Sequence, residues 1–157
     1  MRPGIRLGVD VGTVRIGVSR SDLHGMLASP VETVARASDG TDVRRLLQIA
    51  SDVEALEIIV GLPLALSGRQ TASTDDALAF ADTLASHTQL PVRLVDERLS
   101  TVSAHAALRS SGKRTKQSRP VVDQVAATII LQHALDVERT SQKPPGTLVT
   151  PNIGTAP

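Results

Sequence analysis

Residues 6–22, RLGVDVGTVRIGVSRSD, place a single acid, Asp10, inside a run of Val, Ile and Gly. A carboxylate in an apolar strand is costly unless it is paired or coordinates a cation, so Asp10 is the first candidate for chemistry. An Asp that merely prepares the turn at Gly12 is the bland alternative. Two adjacent acids, Asp96 and Glu97, close another apolar run in VDERLS. Neighbours on a regular strand face opposite sides, so only one of them reaches a given face. Asp123 stands early in VVDQVAATIILQ, where an acid also suits the positive end of a helix dipole. Just before it, GKRTKQSR clusters Lys113, Arg114, Lys116 and Arg119, which reads as a flexible basic loop able to contact phosphates without reading sequence. In GLPLALSGRQ, Ser67, Arg69, Gln70 and the backbone amides near Gly68 form a second candidate phosphate cradle. Arg15, just past the first turn, either orients a phosphate or is an exposed strand Arg.

Composition removes several other chemistries. The chain has no Cys, which excludes disulfides, thiolate nucleophiles and Cys-type zinc sites. His24, His87, His105 and His133 fall in unrelated segments, and no G-x-S-x-G nucleophile elbow occurs. Aromatic content is 1%, with Phe80 the sole aromatic residue, so platforms for stacking bases are nearly absent. The 157 residues, 41% hydrophobic and 21% charged, fit one domain that buries a genuine core. Net charge is only +1, so polyanion binding must come from local clusters of cations. No apolar stretch approaches the roughly 20 residues of a membrane helix, and no secretory signal is visible at the N-terminus. The expectation is a cytoplasmic protein with no membrane partner, a monomer or weak homodimer.

The elements that must position these groups alternate along the chain. IRLGVDV (5–11) and RIGVSR (15–20) read as an antiparallel hairpin turning at Gly12 and Thr13. Residues 26–34 extend the meander, with Pro30 suited to an edge or a bulge. Helical spacing of Val43, Leu46, Leu47 and Ala50 predicts a helix capped by Thr41 or Asp42. EIIVGLP (57–63) reads as a strand buried on both faces, residues 72–86 as an Ala-rich helix, and PVRLVDE (91–97) as a further strand. A helix from Ser100 or Thr101 to about Arg109 and a long one over 121–138 follow. Parallel pairing with right-handed crossovers is required of such an order. The Pro- and Gly-rich tail, residues 140–157, is expected to be disordered beyond a domain spanning 1–139.

Three antiparallel strands, two parallel strands with helical crossovers and a closing helix resemble the RNase H-like fold, a five-stranded mixed α/β sheet flanked by helices. The blocks VDVGTVRIGVSRSD (9–22), IVGLPLALSGRQ (59–70), VDERLST (95–101) and VVDQVAATIILQ (121–132) resemble, in order and spacing, one family of that fold. These are the small YqgF-type proteins, described as Holliday junction resolvases and as nucleases that process precursor 16S ribosomal RNA. The resemblance implies a metal-dependent nuclease in ribosome biogenesis. It selects Glu97 over Asp96, and assigns Asp10, Glu97 and Asp123 as catalytic carboxylates that hold Mg²⁺ or Mn²⁺. Oxygen-only ligation suits those ions better than zinc. Carboxylates gathered in one place raise each other's pKa until a cation neutralises them. The partners it implies are structured RNA, pre-16S rRNA above all, or branched DNA, and ribosomal precursor particles. Ala65, Ser67, Gln124 and Ser103 depart from the residues common in the family at those positions. Two rival readings remain open: a non-catalytic nucleic-acid-binding factor, and an ATP-binding phosphotransferase suggested by the DVGT turn.

Overall fold

The computed structural model describes residues 1–98 and 115–151. Its sheet is built of β1 (Arg6–Val11), β2 (Arg15–Ser21), β3 (Ala28–Ala35), β4 (Glu57–Leu62), β5 (Val92–Asp96) and β6 (Thr147–Leu148). The helices are α1 (Thr41–Asp52), α2 (Ala72–Ser86) and α3 (Thr115–Ser141). Strand order is β3-β2-β1-β4-β5-β6, with β1 in the interior. β1 and β2 pair antiparallel with Val11 opposite Ile16, and the Gly12 N–H donates to the Arg15 carbonyl at 2.9 Å to close the turn. β4 runs parallel to β1 and β5 parallel to β4.

Side-chain alternation divides the core into two layers. Leu7, Val9, Ile16, Val18, Ile58, Val60 and Val92 meet α1 and α2 on one face. Ile59 and Val95 meet Ile130, Leu131, Ala134 and Leu135 of α3 on the other. The α3 face is more polar, and hydrogen bonds tie the helix to β2 and β3. The Ser19 hydroxyl donates to the Ala127 carbonyl at 2.8 Å, Gln124 donates to Thr33 at 3.0 Å, and the Ala28 N–H donates to Gln132 at 2.9 Å.

At Gly17 the contact is closer still, because a Cβ there would overlap the Asp123 carbonyl. Any side chain would lift the helix, so glycine in this strand serves close backbone approach rather than flexibility.

Several expectations are revised. The sheet has six strands rather than five: Gly146, at φ +68°, packs against the Leu94 carbonyl and lets β6 pair antiparallel with β5. The segment that follows α3 lies against the domain, with Pro145 buried, Val149 against the core, and the Val149 N–H donating to Val92 at 2.8 Å. Residues 152–157, and the helix expected over 100–109, lie outside the described residues. The last helix begins at Thr115, so Lys116 and Arg119 belong to its opening turns and not to a loop. The helix runs through Pro120, which lacks the N–H to join its hydrogen-bond ladder. Gly40, without a side-chain cap, precedes α1, while Asp39 accepts hydrogen bonds from Thr41 and Asp42 accepts one from the Ala37 N–H. Pro30 sits on edge strand β3, whose register against β2 shifts between Val18 and Ser19.

A buried ionic network fastens the C-terminal half of α3. Glu57 and Glu138 are 0% and 2% exposed, yet both carry charge partners. Arg2 reaches Glu57 and Glu138 at 2.7 Å each, Arg6 reaches Glu138 at 3.0 Å, and Arg93 reaches Glu57 at 3.3 Å. Burial alone would raise the Glu138 carboxyl's pKa; the hydrogen bond from Arg2 and the charges of Arg6 and Arg2 hold it below the usual range. Removing one partner strands the rest, so Glu138→Ala is expected to cost about 3–5 kcal/mol in urea unfolding. Cutting the exposed Arg45–Glu32 pair, 2.7 Å long, should cost under about 1 kcal/mol, which the same measurement checks.

Candidate active site

Asp10 lies on the face that α3 covers, and its neighbours in the sheet lack side chains. Across β2 it pairs with Gly17. Across β4, where Val9 pairs with Val60, the next step places it beside Gly61. Each glycine marks where another acid arrives. Above Gly17 passes the Asp123 backbone, and a Cβ on Gly61 would strike the Glu97 carboxylate and come within 2.6 Å of Ile130. Glu97 follows β5 directly, its N–H donating to the Leu62 carbonyl at 3.2 Å. The three acids thus come from two strand ends and one helix onto one face at the C-terminal end of the parallel strands, the usual place for ligands in such sheets.

Their electrostatics are uneven. The Asp10 carboxyl is pushed up to about 6, first by burial and then by the negative charge of Asp123. Asp123 is held by Arg15, whose Nε donates to its Oδ2 at 2.8 Å. Among the described residues, no three His, Asp or Glu side chains lie close enough to hold one ion in this arrangement. The donor set nevertheless fits a hard divalent cation, since all its donors are oxygens and Gly61, lacking a side chain, lets the Glu97 carboxylate reach the face that carries Asp10.

Asp96 takes a different part, accepting from Arg98 at 2.5–3.1 Å, and that ion pair holds its carboxyl below the usual range. The loop after β4 folds on itself: Gly68, at φ +90°, donates to the Ala65 carbonyl at 2.7 Å, Ala65 to Arg69 at 3.0 Å, and the Arg69 N–H to Ser67 at 3.3 Å. The amides of Gly68 and Arg69 are consequently engaged within the turn and not directed to a phosphate, while Ser67, Arg69 and Gln70 remain exposed. Arg15 is not an exposed strand Arg but a partner of Asp123. Lys113 and Arg114 lie outside the described residues, as do the side chains of Lys116 and Arg119.

Sequence reasoning missed Gly17, Gly61 and Arg36. The signal for the glycines was present, namely Gly inside an otherwise β-branched strand. Arg36 had none. It reaches from the end of β3 to the Gly12 carbonyl at 2.8 Å and to Asp76 of α2 at 2.8 Å, over the Phe80 ring at 5.2 Å, and so braces the turn that follows Asp10.

The fold is that of the RNase H-like resolvases. The chain is similar to the RuvC structure of T. thermophilus in complex with a Holliday junction substrate, with TM-score 0.57 and 16% identity over 93% of this chain and 99% of that one. The family profile described as "RuvX: Holliday junction resolvase" matches residues 4–137. The chain belongs to that family of nucleases. It is 70% identical, over 98% of its length and 99% of the relative's, to a Leifsonia xyli subsp. xyli protein named "Putative pre-16S rRNA nuclease". A Mycobacterium ulcerans protein of the same name is 54% identical over 87% of this chain and 81% of its own. No helix among the described residues is long and apolar enough to cross a membrane.

The raised Asp10 pKa has a consequence for stability. An unfolded Asp titrates near 4. Between roughly pH 4 and 6 the folded chain retains a proton that the unfolded chain has lost, so stability falls as pH rises through that window, by up to about 3 kcal/mol. Asp10→Asn is therefore expected to stabilise the metal-free protein above about pH 6, the gain vanishing toward pH 4. Urea unfolding of both proteins in EDTA across this range measures it.

Proposed function

We propose that this chain is a divalent-metal-dependent endonuclease that cleaves precursor 16S rRNA, with Asp10, Glu97 and Asp123 as its catalytic carboxylates. The observation that carries the reading is Asp10 flanked by Gly17 and Gly61, each the landing point of another acid. The names of the relatives supply the substrate class. Mg²⁺ or Mn²⁺ bound there would polarise a phosphodiester and lower the pKa of water beside it. Asp10 and Glu97, at the ends of β1 and β5 on either side of β4, would hold the ion from the sheet side, and Asp123 would hold it from the helix. Asp10 gains most from the ion, because its ionised form is the one that burial and Asp123 disfavour. Gly17 lets the Asp123 main chain lie against β2, so the helix carries this carboxylate to the face that bears Asp10.

Lys113, Arg114, Lys116 and Arg119, with Arg69 across the site, would contact the polymer backbone. They precede or open α3 on the chain that leads to Asp123. With only Phe80 for stacking, and Phe80 buried in the opposite layer, recognition rests on backbone and shape.

Asp10→Asn, Glu97→Gln and Asp123→Asn are each expected to abolish Mn²⁺-supported cleavage of precursor rRNA while leaving a folded protein, and chelation should silence the wild type. A four-way DNA junction incubated with the same preparation decides between the two substrates. Wild-type rates in all three variants would remove the acids from catalysis. Ca²⁺, with longer bonds and looser geometry, should bind and support little turnover. Replacing the four clustered cations with Ala should flatten the salt dependence of log K by up to about three while leaving metal affinity unchanged. A salt titration of RNA binding reads this directly.

A further inference from the structure

We infer that Arg15 is an exchangeable counter-ion of the acidic site, holding Asp123 while the site lacks metal and swinging to the phosphodiester backbone when a divalent cation takes the carboxylate. The inference rests on the metal site proposed above and adds a role for a residue outside it. Three observations carry it.

The first is the contact itself. Arg15 Nε lies 2.8 Å from Asp123 Oδ2, an oxygen the ion would need. A divalent cation drawn to the same carboxylate competes with the guanidinium for its charge, so binding one weakens the hold of the other. The gap between the described geometry and a three-carboxylate site is thereby explained in part, since one of the acids is already neutralised from within the chain.

The second is freedom to move. The Arg15 side chain is 31% exposed and that of Asp123 is 19% exposed, which places the pair at the rim. The buried arginines differ: Arg6 is 1% exposed and bonds at once to Glu138 and to the Gly4 and Arg2 carbonyls. Arg6 is immobilised by its surroundings, whereas among the described residues Arg15 is held by the Asp123 carboxylate. On the other side of the pair, Gly17 pins the Asp123 main chain, so the exchange is confined to side chains.

The third is location. Arg15 begins β2 immediately after the turn and shares its face with Gly17, two residues on. The side chain therefore stands at the open end of the site, where a displaced guanidinium meets solvent or a phosphate. Arginine's planar fork suits a phosphate as well as a carboxylate, so the group that leaves Asp123 has a second partner of equal chemistry. Metal occupancy would in this way be coupled to substrate affinity: the ion frees a cation for the backbone, and the backbone, by holding that cation, favours the ion.

Calorimetric titration of Mn²⁺ alone into the full chain tests the first half. Arg15→Gln should bind Mn²⁺ about three- to tenfold more tightly than the wild type, the factor set by a rim ion pair of about 1 kcal/mol. Arg15→Lys, which keeps the charge, should stay within about twofold of the wild type. Anisotropy of a fluorescent RNA hairpin, in EDTA and in Ca²⁺, tests the second half. In EDTA the wild type and Arg15→Gln should bind alike, and in Ca²⁺ the wild type should gain about fivefold more than the variant. Asp123→Asn should strengthen RNA binding in EDTA by releasing Arg15, and the double variant Asp123→Asn/Arg15→Gln should lose that gain. Equal Mn²⁺ affinities of wild type and Arg15→Gln, equal tightening in Arg15→Lys, or a double variant that keeps the gain would each overturn the exchange while the metal site stands. Failure of the wild type to bind Mn²⁺ at all would overturn the metal site and the exchange together.

Discussion

The close approach of α3 to β2 at Gly17 is the constraint on which the rest of the site depends. A helix normally rides about 10 Å above a sheet on a cushion of side chains. Here the cushion is absent under Asp123, and the helix backbone touches the strand. That contact brings a helix-borne carboxylate within electrostatic reach of Asp10. It also removes the apolar burial that side chains at the contact would have supplied. The polar ties from Ser19, Gln124 and Gln132 compensate by fixing the helix's rotation and height on the sheet.

Charge is distributed along α3 with opposite logic at its two ends. Beneath its C-terminal half, three guanidinium groups surround Glu57 and Glu138, and both carboxylates are matched by cations. Near Asp123, among the described residues, Arg15 is the cation that bonds to its carboxylate, and the Asp10 carboxyl is pushed up to about 6. The closed network anchors the helix, whereas the described carboxylates at the other end include one, Asp10, whose charged form is disfavoured. Stability spent in leaving Asp10 poorly compensated is sustained by the rigid fastening at the other end.

Period and punctuation made most of the architecture legible. The alternation in β1 and β2, the uninterrupted apolar run of β4 and the helical spacing of α1 and α2 all correspond to observed elements, and α2 spans the expected 72–86. What failed depended on long-range contact. Residues 147–148 carry no strand signal, and they become β6 only because Gly146 fits against the Leu94 carbonyl. Glu57 was hidden inside a run read as apolar, because its burial depends on arginines 36 and 55 residues away. Pro120 reads locally as a helix boundary, yet the helix continues through it. Asp10 was singled out by its apolar surroundings, and placing Asp123 on the same face needed the fold.

The glycines on either side of Asp10 show why local reading stops short at the site. Inside a strand, glycine is a local liability, losing packing and adding chain entropy. Gly17 and Gly61 occupy interior strand positions in registers that only pairing with β1 makes meaningful. Once the strands align, the two missing side chains leave room on either side of Asp10 that the Asp123 backbone fills over β2 and the Glu97 carboxylate fills over β4. Space of that kind cannot be made by adding a functional residue; it comes from omitting two ordinary ones. A substitution at either glycine would collide with the Asp123 backbone or the Glu97 carboxylate while leaving every acid in the sequence, so the trio of carboxylates by itself is an incomplete description of the site.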